Sequence, residues 1–147
     1  MRRPNPGALP RRVLLAVTGA SLAFATGVRA DVPEITKLLA GRTPRAGGIK
    51  LDIPEIAENG LAVPLNVEAE SPMTEADHIK AIHVIAEANP NPLVVSFWFT
   101  PMSGRAAAST RIRLARTQNI VVLAETSTGE VRTASAEVKV TIGGCGG

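Results

Sequence analysis

From residue 49 onward, apolar and polar positions alternate with a period of two. Ile49, Leu51 and Ile53 interleave with Lys50 and Asp52, and Leu61, Val63, Leu65, Val67 and Ala69 interleave with polar or small residues. Successive side chains of an extended strand point to opposite faces, so this is the signature of strands with one face buried. Asn59-Gly60, between the two runs, predicts a tight hairpin turn. Pro54 and Pro64 have no N–H to give to a ladder and mark edges, bulges or bends. Residues 79–88 fit either period, but Ile82, Val84 and Ala86 alternate and the β-branched content favours a strand. Asn89-Pro90-Asn91-Pro92 predicts a turn. Leu93 to Thr100 follows as a strand apolar on both faces, which places it at the centre of a sheet. Ile112 and Leu114 alternate with Thr110, Arg111 and Arg113; Ile120 to Ala124 forms a further strand; Thr128-Gly129 marks a turn. Ala134, Ala136, Val138, Val140 and Ile142 then share one face of a last strand.

A helical period occurs once. Pro33 suits a first helical position, Ile35, Leu38 and Leu39 share a face, and Gly41 supplies a stop. Thr43 to Gly48 reads as a loop. About seven strands separated by turns predict an all-β, immunoglobulin-like sandwich over residues 31–142, with one short N-terminal helix. A single cysteine excludes a Cys-Trp-Cys core, and the absence of repeated helical crossovers excludes an α/β enzyme fold.

The charge is unevenly spread. The chain has 147 residues with 16 Lys+Arg against 13 Asp+Glu, and Arg2, Arg3, Arg11, Arg12 and Arg29 all precede residue 31, where there is no acid. Beyond residue 30 the balance is 11 basic to 13 acidic, a net −2. A nucleic-acid surface therefore has no support. Arg11-Arg12 stands ahead of a weakly apolar run, Val13 to Val28, too short and too diluted for a permanent membrane span. Val28-Arg29-Ala30 fits a small-x-small cleavage site. Residues 1–30 thus read as a twin-arginine signal peptide, with a mature protein beginning at Asp31 in the periplasm.

The chemistry is concentrated at the other end, Gly143-Gly144-Cys145-Gly146-Gly147. Four glycines after an alternating strand end the sheet and predict a flexible arm, residues 143–147, with a reach of about 17 Å. Without Cβ atoms it is thin enough to enter a narrow channel. The thiol has no local helix terminus, cation or imidazole to lower its pKa. That suits a carrier, whose activating groups belong to the enzymes it visits. Two rival classes compete with a carrier: a secreted sandwich thiol enzyme, needing a base held at Cys145, and an adhesion or interaction module, in which Cys145 is dispensable.

The Gly-Gly-Cys-Gly-Gly terminus, residues 58–94 (ENGLAVPLNVEAESPMTEADHIKAIHVIAEANPNPLV), residues 109–118 (STRIRLARTQ) and residues 137–147 (EVKVTIGGCGG) together resemble SoxY, the sulfur-carrier family of the thiosulfate-oxidising Sox system. The resemblance implies a non-enzymatic carrier with Cys145 as the covalent sulfur-binding residue. It also implies a heterodimer with SoxZ, with SoxAX cytochrome, SoxB thiosulfohydrolase and, where present, SoxCD sulfane dehydrogenase as the enzymes served. Their cofactors stay with them, so this chain is expected to hold none.

The remaining polar residues read as structural. His78 and His83, five apart, would face opposite sides of a strand, which disfavours a shared metal, and both are expected at the surface or its boundary. Arg111, Arg113 and Arg116 read as a solvated face. Phe97 and Phe99 lie opposite Trp98, with core or interface packing expected for all three.

Overall fold

Two β-sheets face each other across residues 32–142, the part of the chain described in this computed structural model. The element order is α1 (Pro33–Leu39), β1 (Arg45–Ala46), β2 (Ile49–Asp52), β3 (Ile56–Ala57), β4 (Val63–Ala69), β5 (Ile79–Ala86), β6 (Leu93–Trp98), a single 3₁₀ turn (Pro101–Ser103), β7 (Ala106–Ile112), β8 (Gln118–Thr126) and β9 (Val131–Val140). The larger sheet runs β1-β9-β8-β5-β6, with β3 also laid along β9; the smaller runs β2-β4-β7. The expected all-β sandwich with one short helix is therefore observed. β1 and β3, two residues each, were not foreseen, and β1 falls within the expected 43–48 loop.

The core lies between the sheets. Val63, Leu65, Val67 and Ala69 from β4 meet Ile82, Val84 and Ala86 from β5 and Ile120, Val122 and Ala124 from β8, all buried. The period-two pattern of β4 is thus realised with its odd positions inward. Burying this many β-branched and aliphatic side chains contributes roughly 1.5–3 kcal/mol each before the entropy of ordering them is subtracted.

The outer face of the larger sheet is also covered, by α1. Ile35 is fully buried there against Val32, Ile85, Val121, Leu123 and Val131. This second cluster explains why β5 and β8 are apolar on both faces. Pro33 starts the helix, and Ala40 (φ 48°) and Gly41 (φ 80°) end it in the left-handed region, one residue earlier than the expected stop.

Three expectations are corrected. First, the strand placed at the centre, residues 93–100, is β6 and stands at the edge of its sheet, paired with β5 alone. The strands buried on both faces are β5 and β8. Val95 and Phe97 pack against the core while Trp98 is 74% exposed, so apolar residues on both faces of this strand did not mean burial on both. Second, Asn59-Gly60 is not a hairpin turn. β2 and β4 do pair antiparallel, but the chain between them first crosses to lay β3 parallel to β9. Asn59 makes a local turn instead, its side-chain oxygen accepting from the Leu61 N–H at 2.9 Å. Third, Pro64 sits in the central strand of the smaller sheet, but in the stretch that only β7 flanks, since β2 pairs with residues 66–69. One unpaired flank is where a strand tolerates proline.

Candidate functional site

The residues that were expected to carry the chemistry, Cys145 with Gly143, Gly144, Gly146 and Gly147, lie outside the described residues, as do the leader residues Arg11 and Arg12 and the expected mature start, Asp31. What the structure describes is the strand that leads to them. β9 is held on to its last described residues. In β9 the Lys139 N–H donates to Glu55 O at 2.8 Å, and just beyond it the Thr141 N–H donates to Ala57 O at 3.1 Å. The Thr141 hydroxyl donates to Glu58 O at 3.0 Å, and Ile142 O accepts from the Gly60 N–H at 2.8 Å. On another side the Val140 N–H donates to the Thr117 hydroxyl at 2.9 Å.

Gly60 is the joint of this arrangement. Its N–H holds Ile142, and its carbonyl accepts from the Leu114 N–H at 2.8 Å, tying the end of β9 to the segment after β7. Gly60 is buried although its neighbours Asn59 and Leu61 are exposed. Three large apolar side chains are exposed on these segments: Ile56 at 59%, Leu61 at 51% and Ile142 at 68%. An open concavity of about 360 Å³ adjoins β3, lined by Glu55, Ile56, Ala136, Glu137 and Lys139. Its charges are mixed, so it has no field selective for an anion.

A second polar cluster lies on the outer face of the larger sheet. His83 on β5 is 3% exposed. Its Nδ1 is 2.7 Å from Ser96 Oγ on β6, and its Nε2 is 3.3 Å from Glu125 Oε1 on β8. The contact with Glu125 is ionic in distance but too poorly aligned for a good hydrogen bond. One neutral tautomer serves both: Nε2–H faces the carboxylate and Nδ1 accepts from the Ser96 hydroxyl. The Trp98 indole meets the imidazole edge to face, centroids 5.7 Å apart and planes at 85°. Glu125 also faces Arg42 at 3.5 Å, while Arg42 donates to the last carbonyls of α1, Leu39 O at 2.9 Å and Leu38 O at 2.6 Å. Burial holds the His83 imidazole below the usual histidine value, and the Glu125 charge opposes this only in part.

This cluster was missed at the sequence level, where His83 was expected at the surface or its boundary, whereas it is 3% exposed. The available signal was its setting, Ala-Ile-His-Val-Ile, a polar residue inside a run apolar on both faces. His78, by contrast, is half-buried at the start of β5, with Nδ1 3.0 Å from Thr74 O. Among the described residues no three His, Cys, Asp or Glu side chains converge as a metal site. Arg111, Arg113 and Arg116 are exposed. Phe97 and Phe99 pack against the core, whereas Trp98 is 74% exposed. Among the described residues no helix is long and apolar enough to cross a membrane.

Comparison with known proteins bears on the whole arrangement. The family model described as sulfur oxidation protein SoxY matches residues 20–145. Among solved structures, the sulfur carrier protein SoxY from Chlorobium limicola f thiosulfatophilum is 33% identical with a TM-score of 0.59; the match covers 74% of this chain and 94% of that one. A superoxide reductase (neelaredoxin) from Ignicoccus hospitalis has a TM-score of 0.57 at 19% identity, covering 64% of this chain and 80% of that one, a likeness of fold alone. No curated protein matches the chain.

Proposed function

The chain belongs to the SoxY family, whose members carry sulfur in sulfur oxidation and work with SoxZ, and on that premise we propose that it is a periplasmic carrier holding thiosulfate-derived sulfur on Cys145. The family match runs through Cys145 itself. The observation that carries the reading is the anchoring of β9: Thr141 and Ile142 are bonded into residues 57–60, directly before Gly143-Gly144-Cys145-Gly146-Gly147. A carrier needs that combination, a fixed root followed by a thiol set between glycines.

The chemistry on Cys145 is a cycle of sulfur–sulfur bonds. In the first step the thiol joins the sulfane sulfur of thiosulfate, losing one proton, while two electrons pass to a cytochrome acceptor of the SoxAX type. The product is a cysteine S-thiosulfonate. Water then attacks the terminal sulfone in a hydrolase of the SoxB type; sulfate and a proton leave, and a cysteine persulfide remains. A SoxCD-type dehydrogenase, where present, oxidises the outer sulfur to the sulfonate level, three waters supplying the oxygens and six electrons with seven protons being released to that enzyme's acceptor and the solvent, which prepares a second hydrolysis. Cys145 supplies only the attachment point.

The intact mass of the protein from cells grown on thiosulfate tests this directly. A thiosulfonate or persulfide adduct, removed by a reducing thiol and lost in Cys145→Ser, is expected. Cys145 found unmodified throughout active thiosulfate oxidation would overturn the reading.

A further inference from the structure

Four strand edges border the two sheets, and their side chains differ. On the larger sheet the flank of β9 is covered by β1 at residues 132–133 and by β3 at residues 139–140, and the stretch between them carries Glu137. On the smaller sheet β2 carries Lys50 and Asp52, and β7 carries Arg111. Charged edge residues oppose pairing with a foreign strand, because pairing would strip water from them. The remaining edge, β6, reads Leu-Val-Val-Ser-Phe-Trp, with no charge and no proline within it. A register shift opposite Val84 and Ile85 disturbs only its first residues, and from Val95 to Trp98 the ladder with β5 is regular.

Beyond that ladder, β6 has no second neighbour among the described residues. Its outward main-chain N–H and C=O groups form a row, solvated when free, onto which another extended strand can pair. The flanking side chains favour an apolar contact. Leu93 is 39% exposed, Trp98 74%, and Met102, in the turn that follows, 97%. Trp98 is also held in place: it stands edge-on against His83, which is fixed by Ser96 and Glu125. A large aromatic residue held in one orientation loses little entropy on binding and is the commonest interface anchor.

Resting on the family reading of a paired subunit, we propose that β6 is the edge onto which an extended segment of that second, different polypeptide adds, extending the larger sheet from one protein into the other. Main-chain hydrogen bonds along Val95 to Trp98 provide the register, and Trp98 provides the anchor. The root of β9 lies on the opposite flank of the same sheet, separated from β6 by β8 and β5. Subunit pairing at β6 is therefore kept away from the described root of the terminus, Thr141 and Ile142 beside β3.

Hydrogen–deuterium exchange of the chain with and without a SoxZ subunit tests the proposal. The amides of residues 95–98 are expected to exchange about tenfold more slowly or better in the complex, with β2 and β7 unchanged. Trp98→Lys, which adds the charge that the other edges carry, is expected to weaken binding by at least about tenfold, whereas Lys50→Glu on β2 should not. A complex with unprotected β6 amides overturns the proposal and leaves the carrier reading intact, since that reading is scored separately by the mass of Cys145. Protection of β6 that rises with concentration of the chain alone makes a second copy the occupant and overturns it as well. Absence of any complex overturns both this proposal and the paired-subunit reading on which it rests.

Discussion

His83 Nδ1 lies 2.7 Å from Ser96 Oγ, so the edge strand β6 is joined to β5 by a buried side-chain bond as well as by its ladder. The chain of contacts continues from His83 through Glu125 to Arg42 and the last carbonyls of α1. Helix, central strands and edge strand are thus linked by one polar path on an otherwise apolar face.

That path makes stability depend on pH. The folded state holds His83 below its ordinary value of 6.5, so the unfolded chain binds the proton more readily. Stability is fully present above pH 6.5 and falls as the pH drops from there through the folded-state value. Urea unfolding across pH 5–8 should show this loss, and His83→Phe should flatten it. A stability that rises on acidification through that window would contradict the arrangement.

Glu125 is the group that keeps the imidazole from falling further. Glu125→Gln keeps the shape and removes the charge, so the folded-state His83 pKa should move down, as read from its ring resonances by NMR. Arg42 loses its carboxylate partner at the same time. An unchanged His83 titration would mean that the 3.3 Å approach carries no electrostatic weight.

Ile35 closes the outer cluster beneath α1. Ile35→Ala should destabilise the protein by about 2–5 kcal/mol in chemical unfolding, with the loss concentrated at α1 in amide exchange. Leu61→Ala, at an exposed position, should change stability by less than about 0.5 kcal/mol.

The glycines beside the thiol are expected to act by width and freedom. Gly144→Val and Gly146→Val should leave the rate of Cys145 alkylation by a small reagent nearly unchanged and sharply slow turnover by the partner enzymes. Full turnover in the valine variants would remove the channel-entry role while leaving Cys145 as carrier.

Export is expected to depend on the paired arginines. Arg11→Lys with Arg12→Lys should hold the precursor in the cytoplasm, measured by fractionation. An unchanged periplasmic yield would rule out the twin-arginine route but not export itself.

Local patterning was sufficient for much of this molecule. Alternation in residues 63–69 determined which face of β4 is buried, because a strand's side-chain period admits only two phases and one of them is polar. The helix at Pro33, the strand at residues 79–86 and the turns at 89–92 and 128–129 were legible for similar reasons. One thiol among four glycines marks the terminus without any fold, and the carrier role given to Cys145 is the proposal made above. Neighbourhood was not legible. Whether the strand at residues 93–98 is central or at an edge depends on which distant strand pairs with it, and its own residues read the same in either place. Asn59-Gly60 has the composition of a hairpin turn, yet β9, some eighty residues away, draws the preceding segment into a parallel pairing instead. His83 was misread for the same reason. Its partners Ser96 and Glu125 lie 13 and 42 positions further on. Only the sheet register brings them within reach, and so only the tertiary structure could decide that a lone histidine is a buried, partnered one.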